Sequence, residues 1–536
     1  MTGGRSSGGR EPQRVLCRVV TVPDGTVDLA QATVLLHPAD DVVVALRDLP
    51  AGTVLVDERG SRLRAAQSVP RGHKLALRDV AAGLPVHKYG QPIGQATRPI
   101  GPGDHVHVHN LGMTEPAQRY EFGTARARVE PPAGPRPTFA GYRRADGRVG
   151  TRNFIAILTS VNCSASTAKL IADQFRGAAL EAYPHVDGVV ALTHNSGCGM
   201  VPDSEGGQLL LRTLRGYAAH PNVAGLLLLG LGCEMLQVDR LTEGLELSSD
   251  TIVSRLTIQD TGGIRSTVRA GVEAIREMLP QVDRLRREPC DVGELVLGLN
   301  CGGSDGFSGI TANPALGHAS DRLVAYGGRS VLAETPEVFG AEHLLTPRAV
   351  SREVGERLLD RISWWREYAE RGGGTLDNNP SPGNKAGGLT TILEKSLGAI
   401  AKGGTAELTA VYHYAEPITA PGFGFMDTPG YDPVSVTGLV AGGATVVVFT
   451  TGRGSVLGCK PTPSIKVASN TDTYLRMAED MDLNAGVIAD GGATVEQVGE
   501  EIFAKILAVA SGEPTVSEEL DLGQDEFIPW QLGAVT

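Results

Sequence analysis

Short apolar runs that stop abruptly at glycine-rich sequence set the pattern of this chain. Four of them end on a cysteine: FIAILTSVNC at Cys163, VVALTHNSGC at Cys198, LLLLGLGC at Cys233 and LVLGLNC at Cys301. Cys163 to Cys198 is 35 residues, Cys198 to Cys233 is 35 again, and Cys233 to Cys301 is 68. A strand, a loop, a helix and a loop fill such a length, so the period predicts successive βα units. Helical stretches such as STAKLIADQFRGAALEA and GGQLLLRTLRGYAAH lie between the runs. Strand–helix–strand order predicts mostly parallel sheets covered by helices. Equivalent strands then end at the same edge of one sheet, where open α/β sheets bind ligands. The cysteines are therefore expected to mark the active-site edge.

Upstream the pattern is different. Residues 14–112 carry short alternating or β-branched runs, punctuated by Pro-Gly and Ala-Gly turns. The octamer ALRDLPAG at 45–52 returns as ALRDVAAG at 76–83, which predicts a small all-β module of two similar halves. Residues 113–138 hold five prolines and no apolar period, and read as a linker. A central α/β domain over 139–288 and a C-terminal α/β domain over 289–536 follow. The fold class expected is therefore multidomain α/β, with a small β domain in front. The Gly/Pro/Asn loop at 371–388 is long enough to be functional or disordered. Residues 1–13 are polar, lack an apolar signal-peptide core, and read as a disordered tail.

Composition narrows the function. Glycine is 69 of 536 residues, nearly twice the usual ~7%, and the excess sits in loops after strands. A net charge of −12 and 5% aromatic residues argue against nucleic acid and against anionic membrane as partners. No apolar run is long enough for a membrane span. Seven scattered cysteines fit a reducing cytoplasm better than a disulfide framework.

The chemistry-bearing residues fall into three sets. Cys163, Cys198, Cys233 and Cys301 can bind a soft metal or an iron–sulfur cluster, or pack as small hydrophobes; no CxxC pair is present. His73 and the run His105, His107 and His109 can hold a divalent metal or supply a base. In a strand, 105, 107 and 109 share one face, which could equally be the polar face of an edge strand. Arg152 can fork onto a substrate carboxylate or a salt bridge at the domain junction. Three Gly-rich loops, containing Ser304, Lys385 and Arg453, offer backbone N–H groups and charge to anions. None matches a phosphate-binding loop or a dinucleotide fingerprint, so nucleotide binding is not expected.

Together these residues resemble the altronate/galactarate dehydratase family of sugar-acid hydro-lyases. GHKLALRDVAAGLPVHKYGQPIGQA and HVHVHN resemble that family's N-terminal SAF (β-clip) domain. GYRRADGRVGTRNFIAILTSVNCSA, SGCG, LGLGCE, NCGGSDGFSGITANPALG, NPSPGNKAGG and FTTGRGS resemble its other signatures, in order from about residue 40 to 535. HVHVHN and MDTPGYDPVS lean toward the altronate branch. The resemblance implies loss of water from a polyhydroxy acid, most simply D-altronate, to give a 2-keto-3-deoxy acid. It also implies a divalent metal, Fe(II) or Mn(II), and a homodimer. The roles expected are His73, His194 and Lys385 in catalysis, and Arg152, Arg453, Asn300 and Ser304 in substrate binding. His107, His109 and the four cysteines are the expected metal ligands. Galactarate dehydration, elimination of sulfite from sulfolactate, an iron–sulfur dehydratase and a non-catalytic sugar-acid binder are the alternatives.

Overall fold

The structure is a computed structural model that describes residues 26–115 and 118–532. The expected tail at 1–13 lies outside the described residues.

The β module consists of short strands, and its internal echo is realised bond for bond. Gly52 N–H donates to Ala65 O and Gly83 N–H to Ala96 O, both at 2.8 Å. Leu49 pairs antiparallel with Val69, and Val80 with Ile100. Each half turns back on a glycine at positive φ, Gly52 at 87° and Gly83 at 84°, a conformation that favours glycine.

The body contains two parallel sheets. The first holds β1 (Phe154–Thr159), β2 (Gly188–Leu192), β3 (Val223–Gly230) and β4 (Ile252–Thr257) in the order β2-β1-β3-β4. Every residue of β1 and β3 is buried, because helices cover both faces; this is why those runs are continuously apolar rather than alternating. The second sheet has seven strands: β5 (Val296–Cys301), β6 (Arg329–Leu332), β7 (Leu408–Tyr412), β8 (Gly422–Met426), β9 (Val446–Thr451), β10 (Ser464–Ala468) and β11 (Leu483–Asn484). Their order is β7-β8-β6-β5-β9-β10-β11, all parallel.

This arrangement corrects one expectation. The four cysteines do not share a sheet. Cys163, Cys198 and Cys233 follow β1, β2 and β3, whereas Cys301 closes β5 in the second sheet. The near-double spacing before Cys301 is a domain crossing: β4 and a 19-residue helix, Ile264–Val282, intervene.

The β module does not hang on its linker. Val42, Ala76, Val86 and Ile93 share one apolar cluster with Leu297, Leu299 and Ile392 of the C-terminal domain. Each of the Val, Leu and Ile side chains contributes about 1.5–3 kcal/mol on burial. Lys74 and Lys88 of the module both reach Glu394, at 2.8 and 2.9 Å, and all three side chains are buried. Among the described residues no helix is long and apolar enough to cross a membrane.

Candidate active site

In the seven-stranded sheet β5 has its successor β6 on one side, and β9, reached after the chain has passed through β7 and β8, on the other. Ligands of open α/β sheets bind at such a reversal, outside the carboxyl ends of the strands. Cys301 is the last residue of β5, at that edge. Its Sγ lies 2.7 Å from Lys402 Nζ, and the same ammonium lies 2.9 Å from Glu334 Oε2. Glu334 Oε2 also accepts the Cys301 N–H at 3.1 Å. Glu337 Oε2 stands 3.6 Å from the thiol. Lys395 Nζ bonds Glu337 Oε1 at 2.6 Å and Asn379 Oδ1 at 2.9 Å. Every one of these ionisable side chains is buried.

Burying a charge costs several kcal/mol unless it is paired, so this array is expensive to maintain. Glu334 adds backbone strain. It sits at φ 71°, ψ 63°, unusual for a residue with a Cβ, and such strain concentrates at functional sites. Its Oε1 is buried without a partner. Burial pushes the Glu334 carboxyl up to about 7 even though Lys402 opposes the rise. Asp432 lies alongside, close enough that a Cβ on Gly302 would meet its Oδ2 at 2.0 Å. Burial, then Glu334 and Glu337, push Asp432 up to about 8. Burial pulls Lys402 down, but Cys301, Glu334 and Glu337 more than offset this and hold it above its ordinary value. Burial pushes the Cys301 thiol up.

A second cluster faces this edge from the β module. His73 Nδ1 lies 3.0 Å from His105 Nε2, and the His73 and His107 rings are 4.9 Å apart. His105 and His107 stack at 5.4 Å, and His109 lies 5.4 Å from His105. The expected strand is shorter than its histidine run: it covers only His105–Val106, and His107 opens a turn that accepts the Asn110 and Leu111 N–H groups. The rings gather nonetheless. Burial lowers His73, and takes His105 down to about 4 and His107 to about 3, so all three are neutral at pH 7.

A short helix, α1 (Pro382–Ala386), joins the two clusters. His73 Nε2 donates toward Ala386 O at 3.3 Å, and Asn384 Nδ2 donates to Ser304 O at 2.8 Å. Ser304 Oγ in turn lies 3.8 Å from Cys301 Sγ. The close fit needs glycine: a Cβ on Gly388 would meet Gly72 O at 2.4 Å.

The structure therefore brings His73, His107, His109, Asn300, Ser304 and Cys301 to one edge, with Lys385 on α1 and Arg453 on the loop after β9. Arg453 N–H donates to Gly303 O at 2.7 Å, and its side chain is exposed. Asn300 Nδ2 bonds Ser435 Oγ at 2.7 Å, and its Oδ1 is buried without a partner. Arg152 sits elsewhere: its fork grips Glu518 at 2.6 and 2.8 Å, with Val509 O and Glu513 O on the remaining N–H groups. The carboxylate it holds is the protein's own. His194 is buried in the first sheet, Nε2 donating to Thr159 O and Nδ1 accepting from Ser196 N–H, so both nitrogens are committed to backbone. Cys163, Cys198 and Cys233 belong to that sheet too. Glu334, Glu337, Lys395, Lys402 and Asp432 were not anticipated. Their one sequence signal is charge within otherwise apolar, glycine-rich surroundings, as in AETPE and LEKSLGAIAKGG.

Among the described residues, two groups have the donors for a metal ion: His73–His105–His107 and Cys301–Glu334–Glu337, each with its ligand atoms within 4.8 Å of one another. The two differ in how far their donors are already used. In the second, Lys402 and Lys395 already neutralise the anions. In the first, three neutral imidazoles face one another, and His107 Nδ1 is buried without a partner. Neutral imidazole is the metal-binding form, so the histidine cluster fits a divalent transition metal.

Three family models match the chain in order. The altronate/galactarate dehydratase SAF domain matches residues 31–114. The D-galactarate dehydratase/altronate hydrolase second domain matches 141–283, and the D-galactarate/altronate dehydratase C-terminal domain matches 292–535. The chain belongs to the D-galactarate/altronate dehydratase family. It is 37% identical to the altronate dehydratase of Bacillus subtilis (strain 168), over 91% of this chain and 96% of that one. It is 40% identical to the galactarate dehydratase (L-threo-forming) of Escherichia coli (strain K12), over 89% and 92%. It is also 33% identical to the (2R)-sulfolactate sulfo-lyase subunit beta of Chromohalobacter salexigens, over 74% and 97%. Membership makes the chain an enzyme of the sugar-acid dehydratase class, and the β-strand-end array is where this fold carries ionisable groups tuned near neutrality.

Proposed function

We propose that this enzyme eliminates water from a six-carbon sugar acid, altronate in the first instance and galactarate as the alternative, giving a 2-keto-3-deoxy acid. The observation that carries the reading is the tuning of Glu334 to about 7 and Asp432 to about 8 beside two buried lysines. Dehydration α to a carboxylate needs a base for the C2 proton and an acid for the departing C3 hydroxyl, each with a pKa near the working pH. Glu334 is poised to take the proton. Asp432 carries a proton at neutral pH and can give it to the leaving hydroxyl. Lys402 and Lys395 are fixed cations that stabilise charge developing on the substrate carboxylate as C2 is deprotonated. His73, His105 and His107 would hold Fe(II) or Mn(II), which when bound supplies Lewis-acid polarisation of a substrate oxygen. Lys385 and Arg453, on neighbouring Gly-rich segments, suit the outer oxygens of an anionic substrate.

A sulfo-lyase reading has its own support in the 33% identity that covers 97% of the sulfolactate subunit. It uses the same proton removal with sulfite as the leaving group.

The test is a screen of anaerobically purified protein with altronate, galactarate and sulfolactate, each with Fe(II), Mn(II) or chelator. Metal-dependent 2-keto-3-deoxy acid from altronate or galactarate supports the dehydratase reading. Sulfite release from sulfolactate alone would transfer the assignment to sulfo-lyase. No turnover of any acid would refute both.

A further inference from the structure

The first sheet carries a site that the reaction above does not use. The chain passes from β1 to β2 on one side and then crosses over to β3 on the other side of β1, so its ligand-binding reversal lies at the carboxyl ends of these three strands. Each of the three is followed by one cysteine: Cys163, Cys198 and Cys233. All three are free and exposed, whereas Cys290, Cys301 and Cys459 are buried. Free cysteine is among the most buried residue types, and an exposed thiol is a chemical liability, so three on one rim call for a partner.

The rim is built to hold them. Asn162 N–H donates to Ser196 O at 2.9 Å, which ties the Cys163 loop to the Cys198 loop. Leu236 N–H approaches Gly197 O at 3.4 Å, tying the Cys198 loop to the Cys233 loop. Ser160 Oγ donates to Glu234 Oε1 at 2.7 Å, and the other oxygen of Glu234 accepts Gly232 N–H at 2.6 Å, closing the ring of loops. Gly197, at φ +98°, lies so close to Ser160 that a Cβ would meet its carbonyl oxygen at 2.2 Å. Residues next to every cysteine are thus pinned while the thiols stay accessible.

Spacing selects the ligand. Among the described residues, the donor groups that close within 4.8 Å are the two named above, and the three thiols are not one of them. As placed, their sulfur atoms do not all lie within the 4.8 Å that groups the donors of a single ion. A cubane cluster takes each thiolate on a different iron and so accepts wider spacing. We infer that Cys163, Cys198 and Cys233 ligate an iron–sulfur cluster, with one iron left free of protein sulfur. On assembly each thiol releases its proton to solvent and forms one Fe–S bond; iron and sulfide are both supplied from outside. The open iron can take an oxygen ligand from solvent or from an anionic small molecule.

The inference is independent of the dehydratase reading, and its test reads no turnover. The full-length protein is incubated anaerobically with iron, sulfide and a thiol reductant, desalted, and assayed for bound iron, labile sulfide and electron paramagnetic resonance after reduction. Expected are labile sulfide with at least an equal amount of iron, a cluster signal, and loss of the sulfide and of the signal in the Cys163→Ser/Cys198→Ser/Cys233→Ser variant. The Cys290→Ser and His73→Ala/His107→Ala variants should keep them. Should the triple variant fail to fold, mass spectrometry of alkylated wild-type protein decides: the cluster should shield these three thiols from iodoacetamide. Labile sulfide in the wild type no higher than in the triple variant, or three thiols that alkylate equally before and after reconstitution, would overturn the inference.

Discussion

Lys402 Nζ lies 2.7 Å from Cys301 Sγ and 2.9 Å from Glu334 Oε2, so one buried ammonium serves two groups at the mouth of β5. Removing it strands a buried carboxylate that already has one unpartnered oxygen. Breaking a buried pair by deleting one partner typically costs about 3–5 kcal/mol. Lys402→Met should therefore lose about that much in urea unfolding and abolish turnover. Unchanged stability would show that the ammonium is not needed to hold Glu334 in place.

Glu394 is the counter-charge for both Lys74 and Lys88, and it fastens the β module to the body. Glu394→Gln leaves two buried ammoniums sharing no anion, and should cost about 3–5 kcal/mol. Hydrogen exchange should rise first in the strands Lys74–Ala76 and Pro85–Lys88. Replacing all three by similar-sized apolar residues should restore most of the stability, because apolar packing avoids the desolvation penalty. Equal exchange in the two proteins would mean that the apolar cluster alone holds the module.

Much of this was legible beforehand. The apolar runs ending in cysteine are strands of parallel sheets, and the repeated octamer is a repeated turn. Histidine proximity was visible in His105-Val106-His107, though the strand stops at Val106 because His107 O turns back to accept Asn110 and Leu111. What the sequence concealed was pairing across long separations. Lys402 reaches Cys301 and Lys395 reaches Glu337 only after the seven-stranded sheet forms, and no local pattern encodes that. A period of 35 also cannot distinguish one sheet from two, so spacing alone puts Cys301 with the other cysteines although it closes a strand of the second sheet.

His194 and His220 are buried, and both ring nitrogens of each are bound to backbone. Burial lowers His194 to about 4 and His220 to about 3. Unfolded histidine takes up a proton near pH 6.5, whereas these two stay neutral in the fold. The unfolded state then binds more protons, so stability falls as pH drops from about 6.5 toward 4 and 3. His220→Gln should flatten this decline in a series of thermal melts. A stability plateau between pH 6.5 and 4 in the wild type would contradict the assignment.

Gly388 has φ +104°, and a Cβ there would meet Gly72 O at 2.4 Å, where the β module touches the body. Gly388→Ala should push α1 away from His73 and lower turnover more than it lowers global stability. Comparing kcat with the midpoint of chemical unfolding separates the two effects. A fall in stability with kcat intact would confine this contact to packing.

Proton removal at C2 and water loss at C3 are assigned to the cluster of Glu334, Asp432 and Lys402. The most direct test is proton NMR of altronate and galactarate incubated in heavy water with iron- or manganese-loaded protein, alongside Glu334→Gln and Asp432→Asn. The account predicts that the wild type gives a 2-keto-3-deoxy acid carrying solvent deuterium at C3, and that both variants lose it while still binding metal. Product formation at wild-type rate in either variant would contradict it.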